Sequence, residues 1–336
     1  MMQQLIDRFP GISCAWADGK GDIHTECHGL ADRAQGLPVD AQTLFPACSM
    51  AKFVTALCVM RLHEQQLLDI DAPVNASLRT WKLRTPTGSE SAATIRQLLC
   101  HTAGVKDGED AFYGHRRSDA PISLLDVLAG TTAYNNRPAR EETAPGTAFE
   151  YSDAGYCVLQ LMVEEVTGLP FEEAAQALVF APMGLTDACF VTRANLANIE
   201  ATRVLAAGYD GEGAPIPGRF PLCPDTAASA LWGTPSALVT IGQAFIAAYQ
   251  GESTFLQADT AHMMAAPVAA FPWTGLGLLI AGEDAVMTQG WGENGQCMMK
   301  MYLSTGRVAV VMTNRNPEAD QAESGVAALV DALLQG

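Results

Sequence analysis

Positive charge is scarce in this chain: 20 lysines and arginines stand against 37 acidic residues among 336, a formal net charge of −17. A surface of that sign repels nucleic acid and anionic membranes, so neither is an expected partner. No run approaches the roughly 18 strongly apolar residues that a spanning helix needs. Residues 1–10 hold neither a basic region nor an apolar core, so no secretory leader is expected. Metal and redox motifs are lacking too. The nine cysteines are odd in number and scattered, with no CxxC pair and no Cys/His pair at zinc-ligand spacing. Most lie among apolar neighbours, as buried thiols in a reducing compartment do. The expectation is a cytoplasmic protein with no metal and no organic cofactor. Apolar residues make up 49% of the chain, enough at this length for one large core or two domains.

The stretch around Phe45-Pro46-Ala47-Cys48-Ser49-Met50-Ala51-Lys52 organises the rest. An apolar-periodic run follows it through Phe53, Leu57 and Met60, the pattern of a helix in a core. Ser49 stands at the helix mouth and Lys52 three residues on, so both side chains share a face. Free amides and the positive dipole end favour negative charge there. An N-cap serine followed by a surface lysine has the same spacing. Lys52, however, is flanked by Ala51, Phe53 and Val54. A lysine so placed needs a partner or a lowered pKa. Once deprotonated, it can take a serine's proton.

A strand is expected over residues 11–17, with the turn Asp18-Gly19-Lys20-Gly21 and a return over 22–29. The Ser49 helix runs to about Gln66. Thr94 caps a short helix ahead of His101-Thr102-Ala103-Gly104. Residues 105–120 read as an exposed loop at the rim of a site. Tyr151-Ser152-Asp153 opens a helix that ends at Gly168, and another covers 170–179. Residues 200–225, rich in glycine and proline, read as a hairpin over the site. Thr234-Pro235 opens a helix to about Tyr249. Strands are expected over 273–281, 285–288, 296–304 and 307–313, then a helix over 324–334. Strands at both ends and helices between them give an α/β (α+β) fold, one antiparallel sheet built from both termini. Residues 1–75 and 225–336 would form the sheet domain, and 76–224 a mostly helical one.

Three stretches, Ser49-Met50-Ala51-Lys52, Tyr151-Ser152-Asp153 and Gln289-Gly290-Trp291-Gly292-Glu293-Asn294-Gly295, together resemble the serine beta-lactamase and penicillin-binding protein superfamily. The class C beta-lactamase-like esterase and peptidase branch is the nearest in pattern. Phe9-Pro10-Gly11, Leu67-Leu68-Asp69-Ile70-Asp71-Ala72-Pro73, Gln97-Leu98-Leu99-Cys100-His101-Thr102-Ala103-Gly104 and Phe180-Ala181-Pro182-Met183-Gly184-Leu185 extend it over roughly residues 9–315. The resemblance implies the beta-lactamase/transpeptidase-like fold and no cofactor. It makes Ser49 the nucleophile, Lys52 the group sharing its proton and Tyr151 the second partner. A tyrosine of ordinary pKa, about 10, needs a cation nearby to act as a base, and Lys52 can supply it.

Two motifs depart from the family. Asp153 stands where asparagine is usual. It accepts from Lys52 but cannot donate an amide proton, and it holds Lys52 as an ammonium. The burden of the base shifts to Tyr151. In the third motif Gln289 or Gly290, by alignment, replaces the lysine or histidine, with Trp291 and Gly292 beside it. No cation is left there to grip a substrate carboxylate. The oxyanion donors are expected from Ser49 and the strand around 296–298. His101 reads as structural, and Trp232, Trp291, Tyr134 and Phe112 are candidates for lining an acyl pocket. The reading is a serine hydrolase acting on a small ester or peptide-like amide. The alternatives are an acyltransferase, a beta-lactamase or D-aminopeptidase, and a non-catalytic ligand-binding relative. Nothing in the sequence sets an oligomeric state.

Overall fold

The computed structural model describes residues 2–19 and 21–335. Lys20, in the turn read between the first two strands, lies outside the described residues. The strands are β1 (Gly11–Asp18), β2 (Ile23–Asp32), β3 (Leu37–Pro38), β4 (Phe45–Pro46), β5 (Ala188–Phe190), β6 (Leu231–Gly233), β7 (Leu279–Ile280), β8 (Ala285–Gly292), β9 (Gly295–Tyr302) and β10 (Arg307–Thr313). Seven form one sheet in the order β3-β2-β1-β10-β9-β8-β7, and the short β4, β6 and β5 form a second. Every pairing in the large sheet is antiparallel. The two ends of the chain meet at its centre, where Ile12 faces Thr313 and Asp18 faces Arg307. Val308 to Met312 are all buried, because helices cover both faces of β10.

The helices are α1 (Met2–Ile6), α2 (Ala51–Glu64), α3 (Ile95–Leu99), α4 (Leu124–Ala129), α5 (Asp153–Thr167), α6 (Phe171–Ala175), α7 (Leu196–Glu200), α8 (Thr226–Ser229), α9 (Pro235–Tyr249), α10 (Ala258–Ala265), α11 (Gln321–Ser324) and α12 (Val326–Gln335). Thr94 caps α3 in a capping box with Gln97, Ser152 caps α5 and Thr234 caps α9. Gly168 ends α5 in the left-handed region. Helix α9 covers one face of the sheet, and α12 with α1 covers the other. Eleven of the fourteen residues of α2 are buried, so it is a central helix wrapped on all sides. One core runs from Ala15 and Val308 through Phe245 and Phe53 to Tyr156 and Met162, so the sheet and the helical region share it. Among the described residues no helix is long and apolar enough to cross a membrane.

Four expected segments come out differently. Residues 200–225 make no hairpin over the site. They are irregular, tied by single bridges from Tyr209 to Pro215 and to Arg315, and none lines the cleft described below. Their closely spaced prolines remove ladder donors. Of residues 273–281 only Leu279 and Ile280 are strand, since Thr274, Gly275 and Gly277 fold the rest into turns. Strand β8 continues past Thr288 to Gly292, so Gly290 and Gly292 are strand residues and the turn is Glu293-Asn294. The segment over 105–120 is not simply exposed: Val105 and His115 are buried, and its Asp107 reaches the start of α5.

Candidate active site

Ser49 lies in a single 3₁₀ turn, Cys48–Met50, that feeds directly into α2, and no side chain caps that turn. The serine is therefore free of the capping role open to it on spacing alone. Cys48, just before it, is in the left-handed region at φ 45°, an uncommon conformation for a non-glycine residue. Strand β8 presses against this turn. A Cβ at Gly290 would come within 2.4 Å of the Ala47 carbonyl oxygen and 2.9 Å of Cys48 Cβ, so glycine is what permits the approach.

Lys52 is buried, with three neighbours for its three protons. Its Nζ donates to Ser49 Oγ at 3.1 Å and to the Ala228 carbonyl at 3.0 Å, and ion-pairs with Asp153 Oδ1 at 2.5 Å. It also sits 4.9 Å from the Tyr151 ring centroid and 5.5 Å from that of Tyr156. Burial alone would push the lysine down; the charge of Asp153 and then Tyr151 outweigh it and hold the ammonium above its ordinary range. The aspartate read as a departure in the sequence thus fixes the lysine in its charged form. Tyr151 is 48% exposed through the cleft, yet desolvation of its phenol group pushes it up. Lys52 opposes that, Asp153 adds to it, and hydrogen bonding to Ser49 opposes it again; the net direction is upward.

Two residues that sequence reasoning passed over hold this arrangement. Asp107 accepts from Ser152 Oγ at 2.8 Å and from the Asp153 and Ala154 amides at 2.8 and 2.9 Å, anchoring the start of α5 next to Tyr151. No local pattern marks it. Asp225 is fully buried at the start of α8, the element that lends Ala228 to Lys52. It accepts from Tyr134 Oη at 2.5 Å and Ser229 Oγ at 2.7 Å. Its place before a short run of small residues, after Pro224, is the signal that was there to be read. Burial and the nearby Asp153 raise Asp225 from 3.8 to about 7. The folded state therefore binds a proton more tightly than the unfolded chain. Stability falls as pH climbs from about 4 to about 7 and levels off above. Asp225→Asn should flatten that slope in a series of melting temperatures against pH. An unchanged slope would assign it to other groups.

Ser49, Lys52 and Tyr151 form the floor of a cleft of about 430 Å³. Its walls come from Leu99 and His101, from Phe149, from Trp273 through Leu279, and from Thr288, Gln289 and Trp291 of β8. Among the described residues Lys52 is the one cationic side chain lining it. His101 Nδ1 accepts from the Ser152 amide at 3.1 Å, and its ring stacks on Tyr151 at 4.3 Å. Burial, then Lys52, drives it down to about 3, so it is a neutral wall and not a base, in line with its structural reading.

The sequence candidates divide. Ser49, Lys52 and Tyr151 converge at the floor, with Asp153 paired to Lys52, and Gln289 and Trp291 stand at the wall. Gly290, within β8, packs against Ala47 and Cys48, and Gly292 opens on a neighbouring cavity with Trp291 and Tyr113. Of the four proposed pocket aromatics only Trp291 lines the cleft. Trp232 is buried with Leu44 and Phe220 in a separate small core, and Tyr134 with Phe112 packs beside Asp225. The expected oxyanion strand is also wrong. Gln296, Cys297 and Met298 lie on β9, buried between β8 and β10, where Thr313 Oγ1 already accepts from the Gln296 amide. Beyond Met287, β8 is the edge that faces the nucleophile, since β7 pairs only with Val286 and Met287.

The chain is similar to several known proteins. Esterase EstB of Burkholderia gladioli is 34% identical over 198 residues, 58% of this chain and 49% of its own length. Penicillin-binding protein 4* of Bacillus subtilis is 25% identical over 54% of this chain and 38% of its own. The chain spans about half the length, or less, of the curated relatives it matches. The crystal structure of SurE with D-Leu matches with a TM-score of 0.76 at 26% identity, over 98% of this chain and 74% of that one. The D-amino acid amidase of Ochrobactrum anthropi SV3 shares the fold, with a TM-score of 0.78 at 22% identity over 100% of this chain and 99% of its own. The profile of the Beta-lactamase family covers residues 1–333, and with the sheet joined from both termini and the serine at the mouth of its central helix, the chain belongs to the beta-lactamase family.

Proposed function

We propose that this chain is a serine hydrolase that cleaves a small, uncharged carboxylic ester or peptide-like amide through an acyl-enzyme on Ser49. One observation carries the reading: Ser49 Oγ, the Lys52 ammonium and the Tyr151 ring meet at the floor of one open cleft. Ser49 Oγ attacks the carbonyl carbon as Tyr151, in its phenolate form, takes the hydroxyl proton. Lys52 stays an ammonium throughout, and its charge stabilises the phenolate. Tyr151 then protonates the departing alkoxide or amine, and water, deprotonated by the same group, releases the acid. Backbone amides of Ser49 and of the β8 edge beyond Met287 receive the oxyanion. With Lys52 occupied by Asp153, a substrate carboxylate has no partner in the cleft, which argues for neutral substrates over beta-lactams. Nine free cysteines suit a cytoplasmic location.

A resting phenol above its ordinary range gives the rate a pH signature. For a short-chain nitrophenyl ester, kcat/KM should climb with pH through the alkaline range, because only the ionised fraction of Tyr151 is a base. Asp153→Asn removes a charge that raises Tyr151, so the climb should begin at lower pH. A flat profile in both proteins would refute the tyrosine as base; no turnover at any pH would refute the hydrolase.

A further inference from the structure

A ladder of rings leads out of the reactive centre. Tyr151 stacks on His101 at 4.3 Å and 26°, and His101 meets Phe149 edge-on at 5.8 Å. Phe149 meets Trp273 at 6.0 Å and Phe271 at 6.4 Å, and those two meet at 5.7 Å. Trp273, the outermost rung, is 51% exposed while it packs on Phe149 and Phe271. Its open face continues the aromatic lining of the cleft outward from Phe149. The ladder carries no charge: His101 is held neutral, and its Nδ1 is already engaged.

Direction decides which part of a substrate this wall meets. It begins at Tyr151, the group that hands a proton to the leaving atom in the reaction above, and it extends away from there. Gln289 and Trp291 of β8 line the same cleft, and neither belongs to this chain of ring contacts. We propose that the ring wall from Tyr151 to Trp273 is a leaving-group subsite that selects a neutral aryl or arylalkyl alcohol or amine. The assignment of sides rests on the serine-hydrolase reading.

The test compares benzyl acetate with ethyl acetate, and ethyl phenylacetate with ethyl acetate, by titrating released acid. Benzyl acetate should be favoured at least about ten-fold in kcat/KM over ethyl acetate, mostly through KM. Trp273→Ala should cut that ratio about ten-fold, and Trp273→Phe should restore most of it. The ratio of ethyl phenylacetate to ethyl acetate should be insensitive to both variants. An aryl preference that appears only on the acyl side, or a benzyl preference that Trp273→Ala leaves intact, would overturn the proposal while leaving the hydrolase standing. If no ester is turned over, N-benzylacetamide titrated calorimetrically into Ser49→Ala gives an independent reading. Saturable binding weakened about ten-fold by adding Trp273→Ala supports the ring wall, and no binding refutes it.

Discussion

Ser49→Ala should abolish turnover of a short-chain nitrophenyl ester, with a loss of at least about 10³-fold, and should remove the single adduct that a fluorophosphonate leaves on the intact protein. The size of the loss follows from the surroundings. Lys52 has no free proton position and no basic lone pair while Asp153 holds it charged, so the lysine cannot substitute as nucleophile. Cys48, the nearest thiol in sequence, is buried and packed against Gly290 and Gly292 instead of the cleft. Intact mass together with a kinetic trace on the folded variant decides it. An adduct of equal yield on Ser49→Ala would place the nucleophile elsewhere and sink the mechanism proposed above.

Lys52→Met should cost both activity and stability. Methionine fills similar space but leaves the Asp153 carboxylate without its cation, close enough to Asp107 and Asp225 that each of those is raised by it. Removing one partner of a buried ion pair costs about 3–5 kcal/mol; Asp153 is one-fifth exposed, which favours the lower end, about 3 kcal/mol. Turnover should fall about 10²–10⁴-fold, since the phenolate of Tyr151 loses the field that stabilises it. Three carboxylates without a cation would prefer to be protonated. The variant should therefore be most stable in mild acid and lose stability as pH rises through the raised carboxylate range. Adding Asp153→Asn should return much of the stability and none of the activity. Urea denaturation of the two single variants and the double variant closes the cycle, and a double variant no more stable than Lys52→Met would refute the pairing argument.

Local chemistry was readable where neighbours in sequence are neighbours in space. Ser49 and Lys52 are three apart on one helix, and Thr94, Ser152 and Thr234 cap the helices they precede. Strand β10 has the expected ends, because a run buried on both faces has little freedom to be anything else. Errors gathered where geometry depends on distant partners. The need for glycine at 290 shows only once Ala47 and Cys48 are seen against it. Gln296 reads as a donor because its strand follows the motif, yet the motif's own strand, β8, is the one left unpaired beyond Met287. Asp107 joins α5 from 45 residues away, and Trp273 reaches Phe149 from beyond α10 in sequence. No window of sequence carries either fact.

The pairing of β1 with β10 also sets a timetable. Helix α2 and its serine emerge early in synthesis, but β8, which faces the serine, has its neighbour β9 anchored on β10, and β10 closes on β1. Contacts of such long sequence separation form slowly and late. A growing chain would hold its nucleophile and its lysine long before the opposing strand existed. Reactivity would switch on only as the last strands dock, so a ribosome-bound fragment that ends before β8 should carry the serine without labelling it.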